Sequence, residues 1–265
     1  MTDRTSPPPD DVVTLASGAR MPLLGFGTWQ ITGRDAERAT TAALETGYRH
    51  LDTATIYGNE REVGLGLAQS GVPRSEVFLT TKCPPARAGR ELDTLRHSLQ
   101  QLQTEYVDLW LIHWPGRGSV SVDMWRAFAE AREAGLARDI GVSNFGTALV
   151  DEVTTATGTA PAVNQIEWSP LLFDARTLAE HRDRDIVLEG YSALRGGTLQ
   201  HPTIVDIAEH TGSTPAQVII RWHLQHRVVV IPKSVHPDRI RSNADVAGLR
   251  LTDQDMAALD ALGRG

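Results

Sequence analysis

The chain has 265 residues, of which 41% are hydrophobic and 22% are charged, and its 23 glycines and 14 prolines are spread along it. This composition is typical of a folded globular protein and excludes collagen-like, repeat-array, disulfide-scaffold and fully disordered classes. A net charge of −7 argues against general binding to nucleic acid or to anionic membrane surfaces. The length itself fits either two average domains or one closed α/β barrel.

The first ten residues are polar and rich in proline, without the apolar core of a signal peptide. The sequence shows no run approaching the roughly 18 apolar residues of a membrane span, and the single Cys83 cannot form an intramolecular disulfide. We therefore expect a cytoplasmic protein with a flexible tail over residues 1–10 and a single domain over residues 11–265.

Short apolar runs then follow in a regular order. Two runs joined by Ser17-Gly18 predict a β-hairpin. Eight further runs predict strands over Leu24–Phe26, His50–Thr53, Val77–Thr81, Tyr106–Ile112, Arg138–Val142, Ala162–Ile166, Ile186–Gly190 and Arg227–Ile231. Amphipathic stretches such as Asp35–Thr46 and Val122–Glu133 predict helices between the strands. This alternation is typical of parallel β-α units.

Local signals mark where several helices begin. Asn59 with Glu62, and Thr214 with Gln217, each place a capping residue three positions before an acid or an amide. A last helix is predicted over Thr252–Leu262. Each signal agrees with a helix that follows a strand.

Two folds share this element order: an α/β fold closed as a (β/α)8 TIM barrel, and an open doubly wound dinucleotide-binding sheet. The open sheet normally carries a Gly-x-Gly-x-x-Gly turn after its first strand. Here Gly25-Phe26-Gly27 is not followed by the third glycine. The sequence therefore favours the TIM barrel, with the N-terminal β-hairpin capping the barrel bottom.

Polar residues follow most of the predicted strands. In a barrel the carboxyl ends of the strands share one rim, where reacting groups collect. Asp52, Lys82 and His113 come from three successive strands, and Tyr57 follows the first of them, so all four can converge. Any one alone is better explained as a turn, a cap or a surface residue; the set is harder to explain in that way.

The four side chains suit proton donation to a polar C=O group. A free tyrosine has a pKa near 10, and a lysine ammonium nearby favours the phenolate and lowers that pKa. Asp52 can neutralise Lys82, and His113 can hydrogen-bond a carbonyl oxygen. Such an arrangement contributes about 10²- to 10⁴-fold in rate.

Six motifs in this order resemble the aldo-keto reductase family over essentially the whole chain. They are Gly25-Phe26-Gly27-Thr28, Leu51-Asp52-Thr53-Ala54, Tyr57-Gly58-Asn59-Glu60, Gly141-Val142-Ser143-Asn144-Phe145, Asn164-Gln165-Ile166-Glu167 and Ile231-Pro232-Lys233-Ser234. Within the family, the chain looks most similar to bacterial reductases of the 2,5-diketo-D-gluconic acid reductase type. The resemblance implies a (β/α)8 barrel, a nicotinamide cofactor bound without a Rossmann fold, and reduction of aldehydes or ketones, including diketones and keto-sugar acids.

The resemblance also implies roles for individual residues. The family's catalytic tetrad falls on Asp52, Tyr57, Lys82 and His113, with Tyr57 as the general acid. Substrate contacts are expected from Trp29 and Trp114 as well as from Tyr57 and His113. The carrier of the hydride would be the cofactor.

The expected cofactor is NADP(H). Ser143, Asn144 and Gln165 would hold the nicotinamide carboxamide and Tyr191 would stack on the ring. The remaining cofactor contacts are assigned to Thr28, Ser192, Leu194, Lys233, Ser234, Val235, Arg239 and Asn243. Independently of the family, barrels often bind phosphate near strands seven and eight at a helix N-terminus. Lys233 and Arg239 provide two cations at that place in an otherwise acidic chain. Ser242 and Ala193 depart from the usual family residues.

Rival functions stay open on the sequence. Lys82 could form a Schiff base in a barrel aldolase, or the chain could be a non-catalytic, redox-sensing subunit that binds a nicotinamide. Asp52 and His113 could ligate a metal, although the sequence lacks a His-x-His pair and no metal is expected. The expected partner is a small-molecule carbonyl substrate, and the protein is expected to be a monomer.

Overall fold

Strands and helices alternate along residues 12–263, the part of the chain that the computed structural model describes, so the tail predicted over residues 1–10 lies outside the described residues. The strands are β1 Val12–Thr14, β2 Arg20–Pro22, β3 Phe26–Gly27, β4 His50–Asp52, β5 Phe78–Cys83, β6 Val107–Ile112, β7 Ala137–Ser143, β8 Val163–Glu167, β9 Val187–Tyr191 and β10 Val229–Val230. The helices are α1 Gly33–Thr46, α2 Glu60–Gln69, α3 Glu91–Leu102, α4 Val120–Glu133, α5 Thr147–Thr157, α6 Ala175–Arg182, α7 Pro202–Thr211, α8 Pro215–Gln225, α9 Pro237–Ala244 and α10 Asp253–Asp260. Among these described helices, none has the length and apolar character needed to span a bilayer.

The eight strands β3 to β10 form one parallel sheet in which each strand pairs with its sequence neighbours. The two edges of this sheet also meet. A parallel bridge joins Leu24 to Val230, and the backbone N–H groups of Gly25 and Gly27 donate to the carbonyls of Val230 (2.9 Å) and Pro232 (3.1 Å). The fold is therefore the predicted α/β (β/α)8 TIM barrel.

Alternation along β6 shows where the core lies. Leu109 and Leu111 pack with residues of other strands inside the barrel, while Trp110 belongs to the cluster between the sheet and the helices. Trp110 stacks on Phe128 of α4 with 3.6 Å between ring centroids. A strand buried on both faces explains the continuous apolar run Val107–Ile112, interrupted only by Asp108.

The N-terminal hairpin, strands β1 and β2, covers the barrel bottom. Ser17 in its turn donates to Asp139 Oδ2 at the start of β7 (2.8 Å). Met21 is fully buried and packs in the cluster that contains Phe78, the first residue of β5. These contacts lie at the amino ends of the strands, as predicted.

The structure corrects several details of the predicted elements. Strand β5 extends to Cys83, so Lys82 lies within a strand rather than after it. Asn59 does not cap α2 with its side chain, because its buried amide donates to the carbonyls of Thr28 and Ile31. The capping box of Thr214 and Gln217 is confirmed at the start of α8.

Candidate active site

A cavity of about 1080 Å³ opens at the carboxyl ends of the barrel strands. Most of the residues predicted for catalysis, cofactor and substrate line it: Trp29, Asp52, Tyr57, His113, Trp114, Ser143, Asn144, Gln165, Tyr191, Ser192, Leu194, Lys233, Ser234, Val235, Arg239 and Asn243. Two predicted residues lie beneath the cavity wall. Thr28 is buried and donates to the backbone carbonyl of Asp52 (2.9 Å), and Lys82 is fully buried. The strands thus bring most of the residues predicted for catalysis and for cofactor binding into a single cavity.

A hydrogen-bonded chain of three side chains leads up to the floor of this cavity. Lys82 Nζ donates to Asp52 Oδ1 (2.7 Å) and reaches the Tyr57 hydroxyl at 3.3 Å. The carbonyl of Thr53 accepts a further hydrogen bond from Lys82 Nζ (2.8 Å). Tyr57 ends the 3₁₀ turn Thr55–Tyr57 directly after β4. The chain leads from the barrel interior to a hydroxyl at the cavity surface.

The charges of this chain follow from its surroundings. Burial disfavours the charged form of Lys82, but Asp52 and Tyr57 outweigh that effect and raise the lysine pKa. Burial raises the pKa of Tyr57, and Lys82 lowers it by less. The predicted lowering effect of Lys82 on the tyrosine pKa is therefore present, but burial of the hydroxyl outweighs it and the pKa is raised overall. In this state Tyr57 is a protonated hydrogen donor beside an ammonium.

His113 faces the same hydroxyl from the end of β6. Its ring packs edge-on against Tyr57 with 5.6 Å between centroids. Burial, followed by the charge of Lys82, lowers the pKa of His113 to about 3, so the imidazole is neutral at physiological pH. Its Nδ1 atom has no hydrogen-bond partner among the described residues. The neutral ring carries one N–H, and His113 lines the cavity, so it can donate that N–H to an oxygen there.

A second polar group lies on the wall formed by β7, β8 and β9. Asn144 donates to Ser143 Oγ (3.0 Å) and accepts from the Tyr191 hydroxyl (2.8 Å), while Gln165 Nε2 donates to Asp52 Oδ2 (2.8 Å). Asn144 and Ser192 adopt left-handed backbone conformations, with φ of 62° and 58°. Such conformations in residues other than glycine concentrate at functional sites. Amides and hydroxyls held in this way match the donors and acceptors of a carboxamide.

The far end of the cavity fits a phosphate. Lys233 and Arg239 are exposed and line it, and neither has an ion-pair partner among residues 12–263. Helix α9 starts there at Pro237, and its N-cap residue His236 makes no side-chain cap. Two unpaired cations beside a helix N-terminus form a site for an anion. The donor sets at both ends of the cavity therefore fit a phosphorylated nicotinamide nucleotide.

Several cavity residues were not assigned from the sequence. Ile56, 57% exposed, precedes Tyr57 and lies on the cavity wall with Glu167, Leu199 and His236. Arg195 also lines the cavity, and its guanidinium carbon lies 4.9 Å from the centroid of the Trp29 ring. Ile56 could have been found by its position beside Tyr57, whereas Leu199 is recognisable only after folding.

Two of the rival functions are disfavoured by this geometry. Lys82 is fully buried, carries a raised pKa and does not line the cavity, so its amine is not available to attack a carbonyl carbon. Within residues 12–263, no group of three His, Cys, Asp or Glu side chains is placed to hold a metal ion. The Tyr57 hydroxyl, in contrast, belongs to a residue that lines the cavity.

Comparisons with known proteins agree with this geometry. The model of the aldo/keto reductase family matches residues 23–264. An aldo-keto reductase of Mycobacterium sp. (strain JLS) is 46% identical over 255 residues, covering 95% of this chain and 92% of that protein. A 9,11-endoperoxide prostaglandin H2 reductase of Trypanosoma cruzi is 42% identical, covering 94% and 90% of the two chains. The crystal structure of an aldo/keto reductase from Brucella melitensis superposes with a TM-score of 0.91 at 41% identity, covering 95% of this chain and 98% of that chain. The chain belongs to the aldo/keto reductase family, whose members are oxidoreductases that reduce carbonyl groups with nicotinamide cofactors.

Proposed function

We propose that this protein reduces aldehydes or ketones to alcohols with NADPH, and that Tyr57 is the general acid. The observation that carries this proposal is the chain from Asp52 through Lys82 to the Tyr57 hydroxyl at the floor of a large cavity. A tyrosine placed beside a buried ammonium can donate a proton and leave a phenolate that the ammonium stabilises.

The roles of the residues follow from their positions. The bound cofactor supplies the hydride. Tyr57 donates its proton to the carbonyl oxygen of the substrate, and the neutral His113 orients that oxygen with a hydrogen bond. Lys82 stabilises the phenolate that remains, while Asp52 keeps Lys82 charged and in place. Tyr57, His113 and Asp52 line the cavity in this scheme, and Lys82 lies directly beneath them.

The preference for NADPH over NADH rests on Lys233 and Arg239. Both cations are solvent-exposed and line the cavity beside the start of α9. The 2′-phosphate distinguishes the two cofactors and would interact with both cations, whereas the ribose hydroxyl of NADH would not. Ser234, buried at the same place, adds a hydroxyl.

The substrate side of the cavity is open and apolar. Trp29, Ile56 and Trp114 are 40%, 57% and 49% exposed and surround the entrance near Tyr57. The segment between β6 and α4 has only seven residues, His113 to Ser119, which leaves Trp114 uncovered. We infer broad tolerance of small carbonyl compounds; the specific likeness to diketo-gluconate reductases stays a prediction.

The test of this proposal is the oxidation of NADPH with a panel of aldehydes, ketones and diketones. Tyr57→Phe is expected to lower kcat by about 10²- to 10⁴-fold because the general acid is lost. The Kd for NADPH, measured by fluorescence titration, should stay within about threefold, because a single hydroxyl outside the phosphate and carboxamide contacts is worth little to binding.

Tyr106→Phe is the matched control, since Tyr106 lies near the barrel bottom between the guanidinium groups of Arg74 and Arg138. This variant should keep wild-type turnover. Full activity in Tyr57→Phe would refute the assignment of the acid. If the wild-type enzyme oxidises NADPH with no carbonyl compound of the panel, the result would instead favour the non-catalytic binding role.

A further inference from the structure

A buried carboxyl group that the proposed mechanism does not use lies inside the barrel below Tyr57. Glu189 is in the middle of β9, and its side chain is completely buried. Neither carboxyl oxygen has a hydrogen-bond partner among the described residues. Buried carboxyls without partners are rare in folded proteins and are common where a site needs a perturbed acid.

The groups around Glu189 come from four neighbouring elements. His50 of β4 places Nε2 3.7 Å from Glu189 Oε1, and its ring also contacts Thr80 Oγ1 of β5 at 3.1 Å. Asp52, Lys82 and Tyr57 interact electrostatically with Glu189. The Gln165 amide lies close enough to lower the pKa of Glu189, but it donates its hydrogen bond to Asp52 Oδ2. The pKa of His50 is lowered to about 3, first by burial and then by Lys82, so His50 does not supply a positive charge.

The charge balance of this interior depends on Glu189. Lys82 is the cation that faces Asp52, Glu189 and Tyr57. When Glu189 is neutral, the positive charge of Lys82 and the negative charge of Asp52 cancel. With Glu189 ionised, the same dry interior carries an excess negative charge before Tyr57 has released a proton. Loss of the Tyr57 proton would then create a second excess negative charge, which is costly at low dielectric.

We propose that Glu189 is a positioning residue for carbonyl reduction, a carboxyl that holds its proton in the working enzyme and whose ionisation holds back proton release from Tyr57. This inference rests on the proposed function for its kinetic consequence, although the protonation of Glu189 itself does not. The acid that donates to substrate remains Tyr57, and Glu189 acts through the charge that Tyr57 experiences.

The pH range in which this control operates follows from the surrounding groups. Burial, followed by the charge of Asp52, raises the pKa of Glu189 to about 8. The pKa values of Lys82 and Tyr57 are raised from already high values, and those of His50 and His113 are lowered to about 3. Glu189 is therefore the group that changes charge between pH 7 and pH 9 in this set.

The kinetic test is the pH profile of kcat for reduction in the wild-type enzyme and in Glu189→Gln, which keeps the shape but cannot ionise. We expect wild-type kcat to fall about three- to tenfold from pH 7 to pH 9.5, since about one unit in the pKa of Tyr57 changes its acidity tenfold. In Glu189→Gln the fall should be less than about twofold, with the KM for NADPH unchanged. Glu189→Asp, which retains a carboxyl, should restore the fall.

A purely structural role would give a different result: Glu189→Gln would change kcat by one constant factor at every pH, and that outcome overturns the proposal.

A measurement that does not depend on turnover separates this inference from the proposed function. Infrared difference spectra across pH 6 to 10 should show a protonated carboxyl band that disappears with a midpoint near 8 in the wild type and is missing in Glu189→Gln. Absence of the band at pH 7 refutes the proposal whatever the activity. If the band is present but no carbonyl is reduced, the proposed function fails while the protonation of Glu189 stands.

Discussion

Asp52 shows how one buried carboxylate organises this site. Its Oδ1 atom accepts from Lys82 and its Oδ2 atom from Gln165, at 2.7 and 2.8 Å. The two donors come from β5 and β8, on different sides of the barrel interior. Asp52 therefore connects Lys82 to the amide wall of the proposed carboxamide site.

Removing this negative charge should destabilise the protein. Asp52→Asn leaves Lys82 buried without its counter-ion, and breaking a buried pair in this way costs about 3 to 5 kcal/mol. Urea unfolding is the measurement. The control is Asp123→Asn, which breaks an exposed pair with Arg126 and should cost less than about 1 kcal/mol. Equal losses in the two variants would contradict the importance of burial.

At the scale of elements, α9 carries two arginines, and one of them lines the cavity. Arg239 lies on the turn of α9 that faces the cavity, whereas Arg241 pairs with Asp238 and is absent from the cavity lining. The two arginines differ in direction and not in type. One helix thus offers a site residue and its own internal control.

Arg239→Ala should raise the KM for NADPH by about 10- to 100-fold, because a charged hydrogen bond of about 1.5 to 3 kcal/mol is lost. The KM for NADH should change little. Steady-state kinetics with both cofactors provide the measurement, and Arg241→Ala, which removes the same charge from the same helix, should leave both values near the wild type. An equal effect of Arg239→Ala on NADH and NADPH would exclude a 2′-phosphate contact.

At the scale of the whole molecule, the barrel depends on a close approach between β3 and the chain after β10. A Cβ atom on Gly27 would lie 2.6 Å from the carbonyl oxygen of Ile231, and one on Gly25 would lie 2.5 Å from His50 Nδ1. These glycines belong to barrel closure and not to a dinucleotide-binding turn. Gly25 and Gly27 therefore match only the first two glycines of the Gly-x-Gly-x-x-Gly motif.

Gly27→Ala should therefore destabilise the barrel by about 1 to 3 kcal/mol, the cost of forcing an extra methyl group into a packed contact. Thermal or urea unfolding measures this change. Gly248→Ala is the control, since a Cβ atom there meets nothing within 4 Å and its φ is not positive. An unchanged free energy of unfolding in Gly27→Ala would mean that the close contact between the two sheet edges does not contribute to stability.

Much of the fold could be predicted from the sequence because the strands are short apolar runs in a regular order. Their boundaries differ from the predicted ones by at most two residues, and Lys82 lies inside β5 rather than after it. The expected cap at Asn59 was wrong because tertiary contacts with Thr28 and Ile31 took its amide. The predicted monomeric state, cytoplasmic location and domain limits stay predictions.

By itself, the sequence determined the element order, the family and the residue types that meet at the strand ends, since local periodicity and short motifs carry that information. Only the tertiary structure decided that burial outweighs the effect of Lys82 on the pKa of Tyr57 and that Lys82 is fully buried beneath Tyr57. It also decided that Glu189 lies near these charges without a hydrogen-bond partner among the described residues. The physical reason is that burial and charge depend on groups brought together from distant strands. The sequence identifies those groups, but only the closed barrel determines their solvent exposure and the charges that surround them.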